Sequence, residues 1–211
     1  MAIDIPKWQR RSEDRPREIC AAALQVFAEK GFAAAKLDEI AKRAGVSKGT
    51  LYLYFKDKED LFRAVVRDSI APNVEEIIST VSSIQSRFAD VVPMFLGGFA
   101  EREARLPLGA VAKIVIGESR NFPELARVWH DEVASKAIAA LAGLVKRAQE
   151  RGEVRTGDPR LYAFSLMGPM VLGALWRETL VPAGGQTLDL AKLARQHAET
   201  VLRGLLIEPR Q

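Results

Sequence analysis

Leucine and alanine recur at three- and four-residue spacing through most of the chain, and no stretch alternates apolar and polar residues over a strand's length. That spacing suits one regular element, an amphipathic helix with a single buried stripe. Glycine and proline fall at intervals fitting helix ends. The expected fold is therefore all-α, with about nine helices. They are predicted over 13–30, 37–44, 48–54, from 58 to a kink or an end at Pro72, then 86–105, 108–119, 124–151, 159–180 and 188–206. Several ends carry local signals: Gly31 as a C-terminal stop, Asp57 as an N-cap, and Asp158-Pro159 as a cap followed by a preset φ.

Composition narrows what such a helical protein does. The net charge is +4, and the excess lies in the N-terminal third: residues 1–67 hold 14 Lys and Arg against 10 Asp and Glu, while residues 68–211 hold 17 of each. A neutral body with a basic head suits a polyanion, although uneven solvated faces give the same count. The single cysteine, Cys20, excludes an intrachain disulfide, fits a reducing cytoplasm and is expected to be packed and inert. Asp4 and Pro6 stand where a signal peptide needs apolar residues. The longest apolar stretch, 161–176, is too short for a bilayer and contains Gly168-Pro169. No membrane association is expected.

No catalytic constellation is present in the sequence. It has no glycine-rich phosphate loop, no paired-histidine metal motif and no nucleophile elbow. His130 and His197 are isolated on helix faces, and Glu101, Glu103, Asp131 and Glu132 read as solvated acids. We expect no enzyme, no cofactor and no metal.

The informative stretch runs from Leu37 to Leu61. Leu37, Ile40, Ala41 and Ala44 form the apolar face of a two-turn helix, Gly45 supplies the left-handed residue of a tight turn, and Val46 plugs the gap beside it. Ser47 is an N-cap for the next helix, which Leu51 and Phe55 anchor. That helix is about 10 Å long, which fits a major groove roughly 12 Å wide. Left outside are Lys48, Gly49, Thr50, Tyr52 and Tyr54. Glycine permits close backbone approach, threonine offers a methyl to thymine or a hydroxyl to phosphate, and tyrosine hydroxyls reach phosphate oxygens. Lys58 poses a separate question, because a cation in a helix's first turn opposes the dipole by about 0.3–1 kcal/mol. Either Glu59 and Asp60 offset it and Lys58 is solvated, or a phosphate at this helix end reverses the sign.

From Ile40 through Leu61 the residues Ile40-Ala41, Ala44-Gly45-Val46-Ser47, Gly49-Thr50-Leu51-Tyr52, Tyr54-Phe55 and Lys58 closely resemble the TetR family of bacterial transcriptional regulators. Residues 19–32 resemble that family's first helix. The resemblance implies an N-terminal three-helix domain over 1–57, joined by a long fourth helix to an effector-binding and dimerisation domain over 58–211. It implies DNA contacts at Lys36, Ser47, Lys48, Gly49, Thr50, Tyr52, Tyr54 and Lys58, with Tyr52 and Lys58 on phosphate and Lys48 and Thr50 nearest the base edges. Tyr54 either faces DNA or packs inward. Two residues depart from the family pattern. Lys36 stands where threonine is usual, which turns a hydroxyl contact into a charge pair, and Leu53 replaces a common histidine. The implied function is a cytoplasmic repressor that binds a palindromic operator as a homodimer and is released by a small apolar or amphipathic effector. A DNA-binding dimer without an effector is the alternative.

A two-turn helix reads only a few base pairs, so useful specificity calls for two copies about 34–36 Å apart on DNA. The expected seam is the last two helices, through Phe164, Gly168, Leu172 and Leu175 in one and Leu193, Ala198, Val201 and Leu205 in the other. The same spacing also serves a helix pair that merely closes the protomer's own core. By resemblance an effector pocket lies among the middle helices. Phe95, Phe99, Ile114, Trp129, Met167 and Trp176 are its available walls, with Glu118 either an anchor for a cationic ligand or a solvated acid.

Overall fold

The computed structural model describes the backbone of residues 7–83 and 86–207 and the side chains of 14–80 and 86–207; Asp4 and Pro6 lie outside these. Eleven α-helices follow one another: α1 (Lys7–Ala34), α2 (Leu37–Arg43), α3 (Lys48–Tyr54), α4 (Lys58–Val65), α5 (Ala71–Ser83), α6 (Phe88–Glu103), α7 (Leu108–Glu118), α8 (Pro123–Trp129), α9 (Ser135–Glu150), α10 (Pro159–Thr179) and α11 (Leu190–Leu205). π-Helical turns at Val66–Ile70 and His130–Ala134 join α4 to α5 and α8 to α9, leaving nine continuous helical runs among the described residues. The described residues contain no strand, only a lone antiparallel bridge between Val154 and Leu206.

Local chemistry accounts for most of the boundaries. Gly31, at φ 78°, breaks α1, and Gly45, at φ 68°, makes the turn from α2 to α3. The carboxylates or hydroxyl of Ser47, Asp57, Asp158 and Asp189 each accept a backbone N–H in the first turn of the helix that follows. The helix does not end at Pro72: it passes through a π-helical turn at Val66–Ile70 and runs on to Ser83. Proline cannot donate the next backbone bond, and the π-helical turn just before it shifts the bonding pattern where that donor is missing.

The chain packs as two compact units. Among the described residues the first unit comprises 7–72 together with Ile114–Trp129, and the second comprises the rest. Helix α4 belongs to the first unit because Leu61, Phe62 and Val65 are buried there. Its core also takes Ile19, Val26 and Phe27 from α1, Ile40 from α2 and Leu51 from α3. The rings of Phe27, Phe32 and Phe62 form a triangle with centroids 5.5, 5.8 and 5.7 Å apart, and Phe122 adds a fourth ring 4.9 Å from Phe32. Each such contact contributes about 0.5–1.5 kcal/mol beyond area burial. Cys20 is buried, and burial pushes its thiol up to about 12, so it stays protonated and unreactive.

In the second unit α6, α9, α10 and α11 enclose a core that includes Phe88, Leu96, Leu144, Leu166, Met170 and Ala194. At the start of α7 the backbone lies so close to α10 that a Cβ on Gly109 would sit 2.8 Å from the carbonyl oxygen of Ala174. Against this junction lies Glu103, which the sequence suggests is solvated but which is only 2% exposed. Both of its carboxylate oxygens accept from the Gly109 N–H at 3.2 Å. Burial pushes its carboxyl up to about 7, against the opposing pull of that N–H and of the Arg177 charge.

A carboxyl raised in the folded state binds its proton more tightly there than in the unfolded chain. Its contribution to stability is full below the ordinary glutamate range and is lost as pH rises through about 7. Urea unfolding between pH 5 and 8 should therefore show stability falling with rising pH by up to about 3 kcal/mol from this group. Glu103→Gln, which keeps an acceptor without the charge, should flatten that fall and be the more stable protein at pH 8.

Candidate nucleic-acid interface

The α2–turn–α3 segment is built from inside outward. Ile40, Ala41, Leu51 and Phe55 are buried, while Gly45 N–H donates to Lys42 and Val46 N–H to Ala41 to close the turn. With Leu51 and Phe55 inward, α3 presents Lys48, Gly49, Tyr52 and Leu53 to solvent. Tyr52 is 48% exposed and Leu53 is 83% exposed. The Lys48 ammonium lies 2.7 Å from Asp38 of α2, whose hydrogen bond and charge hold it above the usual lysine range. Ser47 Oγ accepts the Thr50 N–H at 3.0 Å and lies 2.8 Å from the Thr50 hydroxyl, so both side chains already serve the cap. Tyr54 is half-buried with its ring beside Phe55, and Lys36 is exposed as the N-cap residue of α2.

Lys58 is half-buried at the head of α4. Its ammonium donates to the carbonyls of Phe32 at 2.7 Å, Ala33 at 3.0 Å and Ala35 at 3.3 Å, and lies 4.6 Å from the centroid of the Phe32 ring. The unfavourable position at the head of α4 is offset because the charge reaches the negative end of α1. Glu118, a member of the first unit, accepts the Ala33 N–H at 3.0 Å. One turn of chain thus has its carbonyls held by a cation and its N–H by an anion.

The other expected pocket residues belong to both units. Ile114 and Trp129 fall in the first unit, whereas Phe95, Phe99, Met167 and Trp176 fall in the second. Phe99 and Met167 pack on the second core, and Trp176 Nε1 donates to the Gln186 carbonyl at 2.9 Å. Phe95 does line a groove of about 410 Å³, beside Ile77, Pro93 and Met94, and Glu101 and Arg102 are among its polar lining residues. Gly98 makes room for Arg102, whose Nη1 lies 3.4 Å from where a Cβ would stand, and Arg102 pairs with Glu76 at 3.2 Å. Gly98, four residues before Arg102, was the available sequence signal. Among the described residues no cluster of three or more metal-ligating side chains occurs, and no helix is long and apolar enough to cross a membrane.

The expected seam divides between its two helices. On α10, Phe164 is 56% and Leu172 64% exposed, with Leu161 beside them at 65%; Gly168 is exposed and Leu175 half-buried. On α11, Ala198 and Leu205 are buried in the protomer's own core, and Leu193 and Val201 pack against it. Those α11 side chains pack on the protomer's own core, whereas Leu161, Phe164 and Leu172 of α10 stand exposed.

Residues 19–65 match the family described as "Bacterial regulatory proteins, tetR family", and residues 93–188 match "Tetracyclin repressor-like, C-terminal domain". The fatty acid metabolism regulator protein of Bacillus subtilis is 27% identical over 201 residues, spanning 92% of this chain and 97% of that protein. The HTH-type transcriptional regulator EthR of Mycolicibacterium smegmatis is 30% identical over 157 residues, spanning 71% and 67%. The crystal structure of a transcriptional regulator FadR from Bacillus subtilis in complex with stearoyl-CoA has a TM-score of 0.72 at 23% identity and covers 89% of this chain and 98% of that one.

The contacts of Lys58 set an expectation opposite to that of a phosphate-binding lysine. Lys58→Met should lower the urea midpoint by the equivalent of about 2 kcal/mol, the scale of hydrogen bonds to a charged donor. The slope of log affinity against log salt for any bound DNA should stay unchanged. A slope reduced by about one at unaltered stability would return Lys58 to the DNA.

Proposed function

This chain belongs to the TetR family of bacterial regulatory proteins, and we propose that it acts as a homodimeric repressor that binds a palindromic operator through α3 and is released by an amphipathic effector. The observation that carries the DNA reading is the outward face of α3, where Lys48, Gly49, Tyr52 and Leu53 stand exposed on a helix whose other side is fixed by Leu51 and Phe55. Lys36, Lys48 and Tyr52 are the residues proposed for phosphate and base-edge contact, with Ser47, Gly49 and Thr50 shaping the approach and Tyr54 supporting it from the rim.

The dimer is supported by Leu161, Phe164 and Leu172 on α10, which leave an apolar stripe in water. Covering such side chains contributes about 1.5–3 kcal/mol each. A two-fold axis along this face pairs the same residues of both copies. For the effector we propose an acyl thioester with an anionic head. The groove supplies Ile77, Pro93, Met94 and Phe95 for the chain and Arg102 for the anion, and the FadR structure that resembles this fold was solved with stearoyl-CoA. Such a ligand releases DNA only if it binds the DNA-incompetent conformer more tightly.

Selection from random double-stranded DNA tests the core of this reading. It should enrich an inverted repeat with half-sites an integral number of helical turns apart, bound by the wild-type chain. Phe164→Glu should run as a monomer in sedimentation and lose that site, because it places a charge in the apolar seam. Enrichment of no sequence, or of a single half-site by a monomer, overturns it. For the effector, acyl-CoA thioesters should raise the melting temperature while free coenzyme A does not, and Arg102→Ala should reduce the shift. An equal shift from free coenzyme A would move the binding site away from the groove.

A further inference from the structure

Most polar side chains on the first turn of α3 are already engaged. Lys48 is drawn to Asp38 at 2.7 Å, and the Ser47 and Thr50 hydroxyls lie 2.8 Å apart within the cap. Gly49 offers no side chain, and the space where its Cβ would stand meets nothing closer than Ser47 Oγ at 3.7 Å. One helical turn further along the same row stands Leu53. At 83% it is the most exposed of the exposed large hydrophobic residues among those described, and it lies opposite buried Leu51. The bare backbone at Gly49 lets this row of α3 come close to a surface, and the next side chain along the row is the isobutyl group of Leu53.

In the major groove only thymine presents a methyl group; the other base edges offer hydrogen-bonding atoms that an aliphatic side chain cannot satisfy. We infer that Leu53 determines specificity by packing its side chain against the C5 methyl of one thymine in each half-site. This rests on the DNA-binding reading above. The residue contributes no hydrogen bond. It discriminates because a cytosine, or an adenine presented at the same depth, leaves the isobutyl group against polar atoms stripped of water.

Replacing thymine by deoxyuridine removes that methyl and nothing else from the groove. In the operator recovered by selection, each thymine is replaced singly and then in symmetric pairs, and affinity is measured for the wild-type chain, Leu53→Ala and Leu53→Gln. One symmetric position should weaken the wild type about four-fold per half-site, the scale of one buried methyl group. Leu53→Ala should bind the thymine and deoxyuridine forms alike, and its own selection should lose the thymine preference at that position alone. Leu53 is exposed, so neither variant disturbs the core. Indifference of the wild type to every deoxyuridine, or an equal effect in Leu53→Ala, overturns the inference and leaves Leu53 a solvated side chain. Failure to enrich any sequence overturns the DNA-binding reading itself, and this inference with it.

Discussion

The ammonium of Lys58 sits among the carbonyls of Phe32, Ala33 and Ala35, which follow the break in α1 at Gly31. A helix end leaves carbonyls without internal partners, and leaving them unpaired in a partly buried place costs about 1–3 kcal/mol each. Here one flexible cation satisfies three, while Glu118 takes the remaining N–H of Ala33. The same turn delivers the chain to α2, and α2 delivers it through Gly45 to α3. The placement of the exposed face of α3 therefore depends on a charge at the head of α4 and an acid at the foot of α7. The four-ring cluster of Phe27, Phe32, Phe62 and Phe122 gives that arrangement a rigid floor.

In the second unit two adjacent residues at the end of α6 take opposite environments. Successive helix positions are about 100° apart, so Arg102 faces the groove while Glu103 enters the core. Arg102 lies along Gly98 toward Glu76, and Glu103 accepts from the N–H of Gly109 where α7 meets α10. The buried acid is tolerated because a backbone donor and the Arg177 charge partly replace the water it lost.

Much of this was legible because it is local. The caps at Ser47, Asp57 and Asp158 and the left-handed turn at Gly45 involve atoms within four residues of one another, so residue type and spacing are enough to find them. Lys58 was legible only as an anomaly. Its dipole penalty was visible, but its carbonyl partners lie 23 to 26 positions upstream, and Glu118 meets a backbone N–H 85 positions away. Linear spacing carries no trace of such contacts. Glu103 was misplaced for a related reason: a lone acid in a helical pattern reads as solvated unless the donor that receives it, Gly109, is known to lie across the next turn.

Periodicity also says that a face is apolar without saying what covers it. Helix α11 spends Ala198 and Leu205 on its own protomer, whereas α10 leaves Leu161, Phe164 and Leu172 in water along one side. A stripe of that kind matches another helix, because its contacts repeat every turn and only a second periodic surface fills them all. Leu53 on α3 is different: it is flanked by Tyr52 and follows Gly49, with no apolar side chain one turn before it. A single exposed leucine among polar neighbours has too little area to hold a protein, but it is the right size for one methyl group. The contrast between a repeated apolar row and an isolated one separates the face proposed for a second copy of the chain from the face proposed for a base edge.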